Sequence, residues 1–346
     1  MRTVPALMLS TLCAASLAAQ RPVVTEQTSG TTQLLQAVSA VNDHVVWVSG
    51  HGGVVARTTD GGDHWTILPV PGTEKLEFRD IHAVSPDVAW AMSAGPGPQS
   101  RIYRTTDGGA TWGLQFTNAD TSAFYDCITF FDSKTGVAFS DAVGDRTMIL
   151  RTSDAGEHWD LIPASAAPAA LKGEGGFAAS GGCLVSSGSK RGWVATGSPE
   201  ARMLRTDDAG KSWRPFATPF VRSAQGAGMT ATSWLDEKRG IGVASNISAR
   251  GTSDTSSAAV GISDDGGMTW KLVSRPSAPG GIYGVTWVPG AGRSTAVASA
   301  LSGLQVTTNA GVSWTAATTG PYWSVGAAGR RVWGVGPRGR ITRLDF

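Results

Sequence analysis

RTTDGGDHW (residues 57–65) sets a hydroxyl before an acid, two glycines after it, and a tryptophan at the end. The chain writes it again as RTTDGGATW (104–112), RTSDAGEHW (151–159) and RTDDAGKSW (205–213), and more loosely as ISDDGGMTW (262–270) and VTTNAGVSW (306–314). The acid or its replacement falls at Asp60, Asp107, Asp154, Asp208, Asp265 and Asn309, in steps of 47, 47, 54, 57 and 44 residues. A period of this length marks a stacked or radial repeat. The hydroxyl and carboxylate suit a tight turn's backbone donors, and the glycines take backbone angles closed to other residues. The tryptophan then opens a strand and buries its ring between sheets.

Before each box the chain alternates apolar and polar residues at period two. HVVWVSG (44–50), DVAWAMS (87–93), GVAFSD (136–141), GWVATG (192–197) and RVWGVG (331–336) all read as strands. Nothing of comparable length reads as an amphipathic helix. Each unit supplies about four short strands, the number in a propeller blade. After Trp314, residues 322–346 offer three strands without a box, while RPVVTEQTSG (21–30) offers one strand ahead of the first unit. An unclosed three-stranded blade leaves an edge. The expected fold is therefore all-β: a seven-bladed propeller of four-stranded blades, closed by the N-terminal strand.

Composition narrows the function. The 29 basic and 27 acidic residues nearly cancel, which argues against a nucleic-acid or anionic-membrane partner. MRTVPALMLSTLCAASLAAQ (1–20) has an early Arg2, a short apolar run and small residues, the layout of a secretory signal with cleavage after Ala18 or Ala19. The expectation is residues 1–19 as signal peptide, 20–346 as one domain, and an exported, periplasmic or secreted product. His44, His51, His64, His82 and His158 lie scattered and no CxxC occurs, so no metal is expected. Without a GxGxxG, haem or flavin motif, no cofactor is expected either. Cys127 and Cys183 either bond across neighbouring blades or remain two buried thiols.

The six boxes resemble the Asp-box (BNR repeat, S/T-x-D-x-G-x-T/S-W) of sialidase-like propellers, where it is a peripheral structural staple. True sialidases carry an Arg-Ile-Pro motif and a Tyr–Glu pair. Neither is found, and Tyr103, Tyr125, Tyr283 and Tyr322 match no such role. FFDSKTGVAFSD (130–141) and SWLDEKRGIGVASN (233–246) are similar to the blade grammar of the photosystem II assembly and stability factor family. That resemblance implies a propeller that binds a protein partner. Fold alone does not fix function.

Candidate sites follow from propeller geometry, in which ligands gather at the channel mouth. Aligned by their boxes, Asp80 and Asp126 fall at one depth on adjacent blades, each preceded by Arg79 or Tyr125. Loops toward the mouth carry His51, Arg101, Asp141, Arg146, Glu200, Arg202, Arg250 and Arg338, and Tyr283 stands on a later inner strand. PASAAPAALKGEGGF (163–177) is a longer connection that brings Glu174 near the mouth, where long loops often carry function. Two of Asp80, Asp126, Asp141 and Glu174 would suit acid–base or nucleophilic work on a glycosidic bond. The plainer expectation pairs these acids with Arg79, Arg101 and Arg146 in a wet channel, leaving those arginines with Arg202, Tyr125 and Tyr283 for binding. Arg57, Arg104, Arg151 and Arg205 recur with the boxes and are expected to stack on rings or pair with carboxylates. The reading is thus an exported, non-catalytic, monomeric scaffold for a protein of the cell envelope or a glycan. The alternative is a glycoside hydrolase.

Overall fold

The computed structural model describes residues 21–222, 226–247, 258–277 and 279–346. The proposed signal peptide and Arg250 lie outside them. Seven four-stranded antiparallel sheets form the ring, and the described residues contain only strands and short 3-10 turns. The inner strands are Leu35–Ala40, Phe78–Ala83, Tyr125–Phe130, Leu184–Ser187, Ala227–Trp234, Ile282–Trp287 and Ser324–Ala328 for blades one to seven. Blade seven takes its outermost strand from Val23–Thr28, which pairs antiparallel with Arg340–Asp345, so the two ends of the chain close the ring.

The boxes behave as the residues dictate. In the first, Thr58 donates its hydroxyl to Asp60 at 2.7 Å and accepts from the Gly62 amide at 2.8 Å, while the His64 amide donates to Asp60 at 2.9 Å. The pattern recurs at the sixth, where Thr307 and the Ser313 amide each reach Asn309 Oδ1 at 2.9 Å. Where the repeat reads DAG or NAG, Ala155, Ala209 and Ala310 hold the left-handed φ that Gly61 takes in the first copy.

Three of the boxes are also keyed to a neighbouring blade through a tryptophan. Trp90 donates its indole N–H to Ala155 O at 3.0 Å, Trp193 to Gly266 O at 2.9 Å and Trp333 to Gly61 O at 3.3 Å. All three rings are fully buried, and Trp193 stacks on Trp234 at 3.8 Å. The repeated arginines are structural too. Arg57 lies over Trp47, Arg104 over Trp90 and Arg205 over Phe216, while Arg151 donates to Ala209 O of the next box.

A stability consequence follows. Asp208 accepts from the Thr206 hydroxyl and from the Ser212 amide and hydroxyl. Asp208→Ala strands those donors and is expected to cost about 1–3 kcal/mol in a urea titration at pH 7. The box carboxylates also carry a pH signature. Hydrogen bonds from the Thr111 hydroxyl and amide and from Thr105 hold Asp107 down at about 2, against an ordinary 3.8. A depressed native value stabilises the fold above the unfolded value, and that contribution drains away as pH falls through the native one. Asp208 is held below its ordinary value in the same way, so Asp208→Ala should differ from the parent at pH 7, and the gap should close as pH falls below the ordinary carboxylate range. A gap that persists in acid would refute this account.

Candidate functional site: a plugged channel

The central channel is not a wet pore. The long connection after blade three runs through it, and residues 174–183 touch every blade. From blade one, Gln36 donates to Ala178 O at 2.8 Å. In blade two, Asp80 sits under Gly181, where an added Cβ would lie 2.4 Å from its carboxylate. In blade three, Asp141 accepts from the Gly176 amide at 3.1 Å, and Asp126 lies against Gly176. Blade four supplies Arg202, and blade five donates from Thr232 N to Gly182 O at 2.9 Å. Ser180 donates to Tyr283 O of blade six at 2.8 Å, and Ser324 of blade seven donates to Ser180 O at 2.7 Å. A run of small residues, AASGGC (178–183), is what lets a backbone thread so narrow a space.

The plug is anchored at both ends. At its start, Glu174 is buried and bound by Arg202: Nε donates to Oε1 at 2.8 Å and Nη2 to Oε2, with Thr196 adding its hydroxyl at 2.9 Å and Leu171 its amide at 3.0 Å. At its end, Cys183 is disulfide-bonded to Cys127 with Cα atoms 6.1 Å apart, inside the usual span. Of the two alternatives left open by the sequence, the disulfide is the one present.

The four acids lie within this segment or against it, with distinct environments. Asp80 accepts the amides of Ile81 at 2.8 Å and Ile128 at 2.7 Å, and burial pushes it up to about 8. Asp126 and Asp141 lie beside adjacent plug glycines, Gly176 and Gly175. Burial first, and then the charge of Asp141, drive Asp126 well above the ordinary range, while burial lifts Asp141 to about 6. Asp126 Oδ2 is buried and has no donor facing it among the described residues. Glycines are required at the contact, because a Cβ on Gly175 would lie 2.0 Å from Asp141 Oδ1 and one on Gly176 3.0 Å from Asp126 Oδ2.

Two expectations need correction. Asp80 and Asp126 do not share a depth: Asp80 pairs with Met92 as Cys127 does with Phe139, so the bulge residues Arg79 and Asp126 are the equivalent pair. Turn lengths differ between blades, so counting back from the boxes misplaces an inner strand by a residue or two. Nor do the arginines pair with these acids. Arg79 binds Glu77, Arg101 donates to Pro98 O at 2.7 Å and Arg146 to Ile162 O at 3.2 Å. Tyr125 is buried edge-on to Phe116, its hydroxyl raised by burial to about 12. Glu200 and Arg338 are exposed, Arg338 at a left-handed φ of 58°.

On one face of the plug lies a cup of about 90 Å³, lined by Ala178 and Ala179. Gln36, His51, Arg79, Tyr283 and Trp323 wall it. His51 Nε2 meets Gln36 at 2.7 Å, its Nδ1 lies 3.5 Å from Glu77, and the Tyr283 and Trp323 rings pack at 4.7 Å. Past Arg79 the cup continues into a groove of about 200 Å³ along Lys75, Glu77, Pro96 and Phe124. Arg79, His51 and Tyr283 were expected near the mouth; Gln36 and Trp323 were not. Trp323 lies just before an inner strand in the one blade without a box, which is the signal that could have marked it.

Seven blades, stapling boxes and a self-threaded channel define an Asp-box β-propeller. A family model described as BNR/Asp-box repeat matches residues 262–272. Among solved structures, "YCF48 bound to D1 peptide" aligns at a TM-score of 0.67 and 15% identity, over 95% of this chain and 98% of that one. YCF48 from Cyanidioschyzon merolae aligns at 0.65 and 15%, over 93% and 98%. The GH74 xyloglucanase from Xanthomonas campestris aligns at 0.63 and 12%, over 93% of this chain and 53% of that one. At these identities the likeness is one of fold. No curated protein is similar enough in sequence to match.

Proposed function

We propose that this chain is an exported, non-catalytic scaffold that takes an extended segment of a protein partner across the face above the plug. The observation that carries the reading is the cup and its continuation. Trp323 and Tyr283 offer an apolar wall for one anchoring side chain. The groove beyond Arg79 gives the rest of a segment a path with charges of both signs. Aromatic anchors in a small pocket are the usual centre of such recognition. A protein of similar fold has been solved with a peptide bound. Export is supported by the layout of residues 1–19 and by a disulfide, which persists in oxidising compartments.

The hydrolase alternative asks for two carboxyl groups roughly 5–10 Å apart with room for a sugar between them. Asp126 and Asp141 instead lie against Gly175 and Gly176, and the plug backbone fills the space a sugar would need. The test is selection from a random displayed peptide library on residues 20–346. Trp323→Ala is expected to weaken the selected peptides at least about tenfold, with thermal stability intact. Equal binding by the variant would refute the cup as the site. Turnover of a glycoside panel that collapses in both Asp126→Asn and Asp141→Asn would replace the scaffold with an enzyme.

A further inference from the structure

On the other side of the plug from the cup lies a chamber of about 310 Å³, walled by the inner strands of all seven blades. Residues 180–182 of the plug close one end of it, while Ala178 and Ala179 line the cup. Its lining holds no lysine, arginine or glutamate. Its one carboxyl group, Asp80, is buried against two backbone amides, and burial pushes it up to about 8, above neutral pH. His82 is the other ionisable group, and burial holds it down at about 4. An ionic ligand would meet no counter-charge there.

Counting hydrogens shows what the wall offers instead. Each hydroxyl has one to give. Ser186 gives its own to Phe130 O at 2.8 Å, so at their 3.1 Å contact Thr129 donates to Ser186. Thr129 then accepts at its 3.4 Å contact with His82 Nδ1, which places the ring hydrogen on Nδ1. Neutral His82 keeps a bare lone pair on Nε2, and that nitrogen has no partner among the described residues. Ser39 and Ser233 have the opposite surplus. Their oxygens accept the amides of Ala83 at 2.9 Å and Trp287 at 3.0 Å, each from the next blade. Their hydroxyl hydrogens have no acceptor among the described residues. Half-buried residues on blades one, two and five thus present two donors and one acceptor to a shared space.

We propose that this chamber binds a small uncharged polyhydroxylated molecule, a monosaccharide or cyclic polyol, which accepts from the Ser39 and Ser233 hydroxyls and donates to His82 Nε2. A sugar hydroxyl both gives and accepts a hydrogen bond, so a ring bearing several of them meets both kinds of surplus at once. The volume lies at the small end of ligand sites, which run from roughly 300 to 1,000 Å³. With Asp80 as the only carboxyl group in the lining, the pair that glycoside hydrolysis needs is missing, and the molecule is held rather than cleaved. The plug backbone separates this site from the cup, so it stands whether or not a partner docks there.

Saturation-transfer NMR on the purified protein tests this with glucose, N-acetylglucosamine and myo-inositol at millimolar concentration, and with glucose 6-phosphate as the charged comparison. Transfer to at least one neutral probe is expected, and weaker transfer to glucose 6-phosphate, whose phosphate meets no cation. His82→Phe keeps a ring beside Phe130 and removes Nε2. It is expected to weaken the best probe about tenfold, the factor for one hydrogen bond left unmade. Ser39→Ala should weaken it similarly. If loss of the Ser39 oxygen unsettles the fold by freeing the Ala83 amide, His82→Phe still decides. Silence from all three neutral probes, equal transfer to glucose 6-phosphate, or unchanged affinity in His82→Phe would each overturn the proposal.

Discussion

Arg202→Ala is expected to lower the free energy of unfolding by about 3–5 kcal/mol, because it leaves the Glu174 carboxylate buried without its counter-ion. The side chains of Glu174 and Arg202 are 2% and 13% exposed, so solvent would do little to replace the lost guanidinium. The carboxylate would keep only the Thr196 hydroxyl and the Leu171 amide. Glu174→Gln should cost less, since a neutral amide in the same place needs no charge partner. Replacing both residues together by apolar side chains should recover most of the loss, because the price of burying either ion then disappears. Urea titration of the four proteins closes the cycle. A loss below about 1 kcal/mol in Arg202→Ala would show the pair to behave like an exposed one, and the plug to be held by other contacts.

The ring was legible in the sequence because its determinants are local. A box needs only a hydroxyl, an acid and residues able to turn left-handed within nine positions, and six copies count the units. Closure by the N-terminal strand was legible by subtraction, three strands at one end and one at the other. The depth of each inner-strand residue was not. It depends on turn lengths inside every blade and on a bulge, as at Phe78 and Asp80, that shifts the pairing by one. The plug was half legible. Its length and Glu174 singled it out, but residues 178–183 are small and weakly patterned, and their contacts come from the strands of several separate blades. Trp323 shows the same limit. Its ring acquires a partner, Tyr283, only when blades six and seven meet across the channel mouth.

Cys127→Ala/Cys183→Ala is expected to cost about 4 kcal/mol, the loop-closure figure for a bridge whose ends lie 56 residues apart. That loop contains the third box, the whole connection and the plug, so its constraint acts on the segment least able to order itself. Both cysteines are fully buried, so a mild reductant without denaturant should leave the bond intact, and the double variant is the cleaner probe. Denaturation of the oxidised parent against the variant gives the value directly. An unchanged midpoint would mean that the bond only records a proximity the other contacts already enforce. The more informative comparison joins this change to Arg202→Ala. Distant, independent sites add, while sites sharing partners do not. These two lie at opposite ends of one segment whose middle touches all seven blades. Freeing either end alone should already weaken the contacts between them, so the combined loss should fall short of the sum. Strict additivity would instead show that the middle holds itself in place, through Gln36, Ser180 and Ser324 alone.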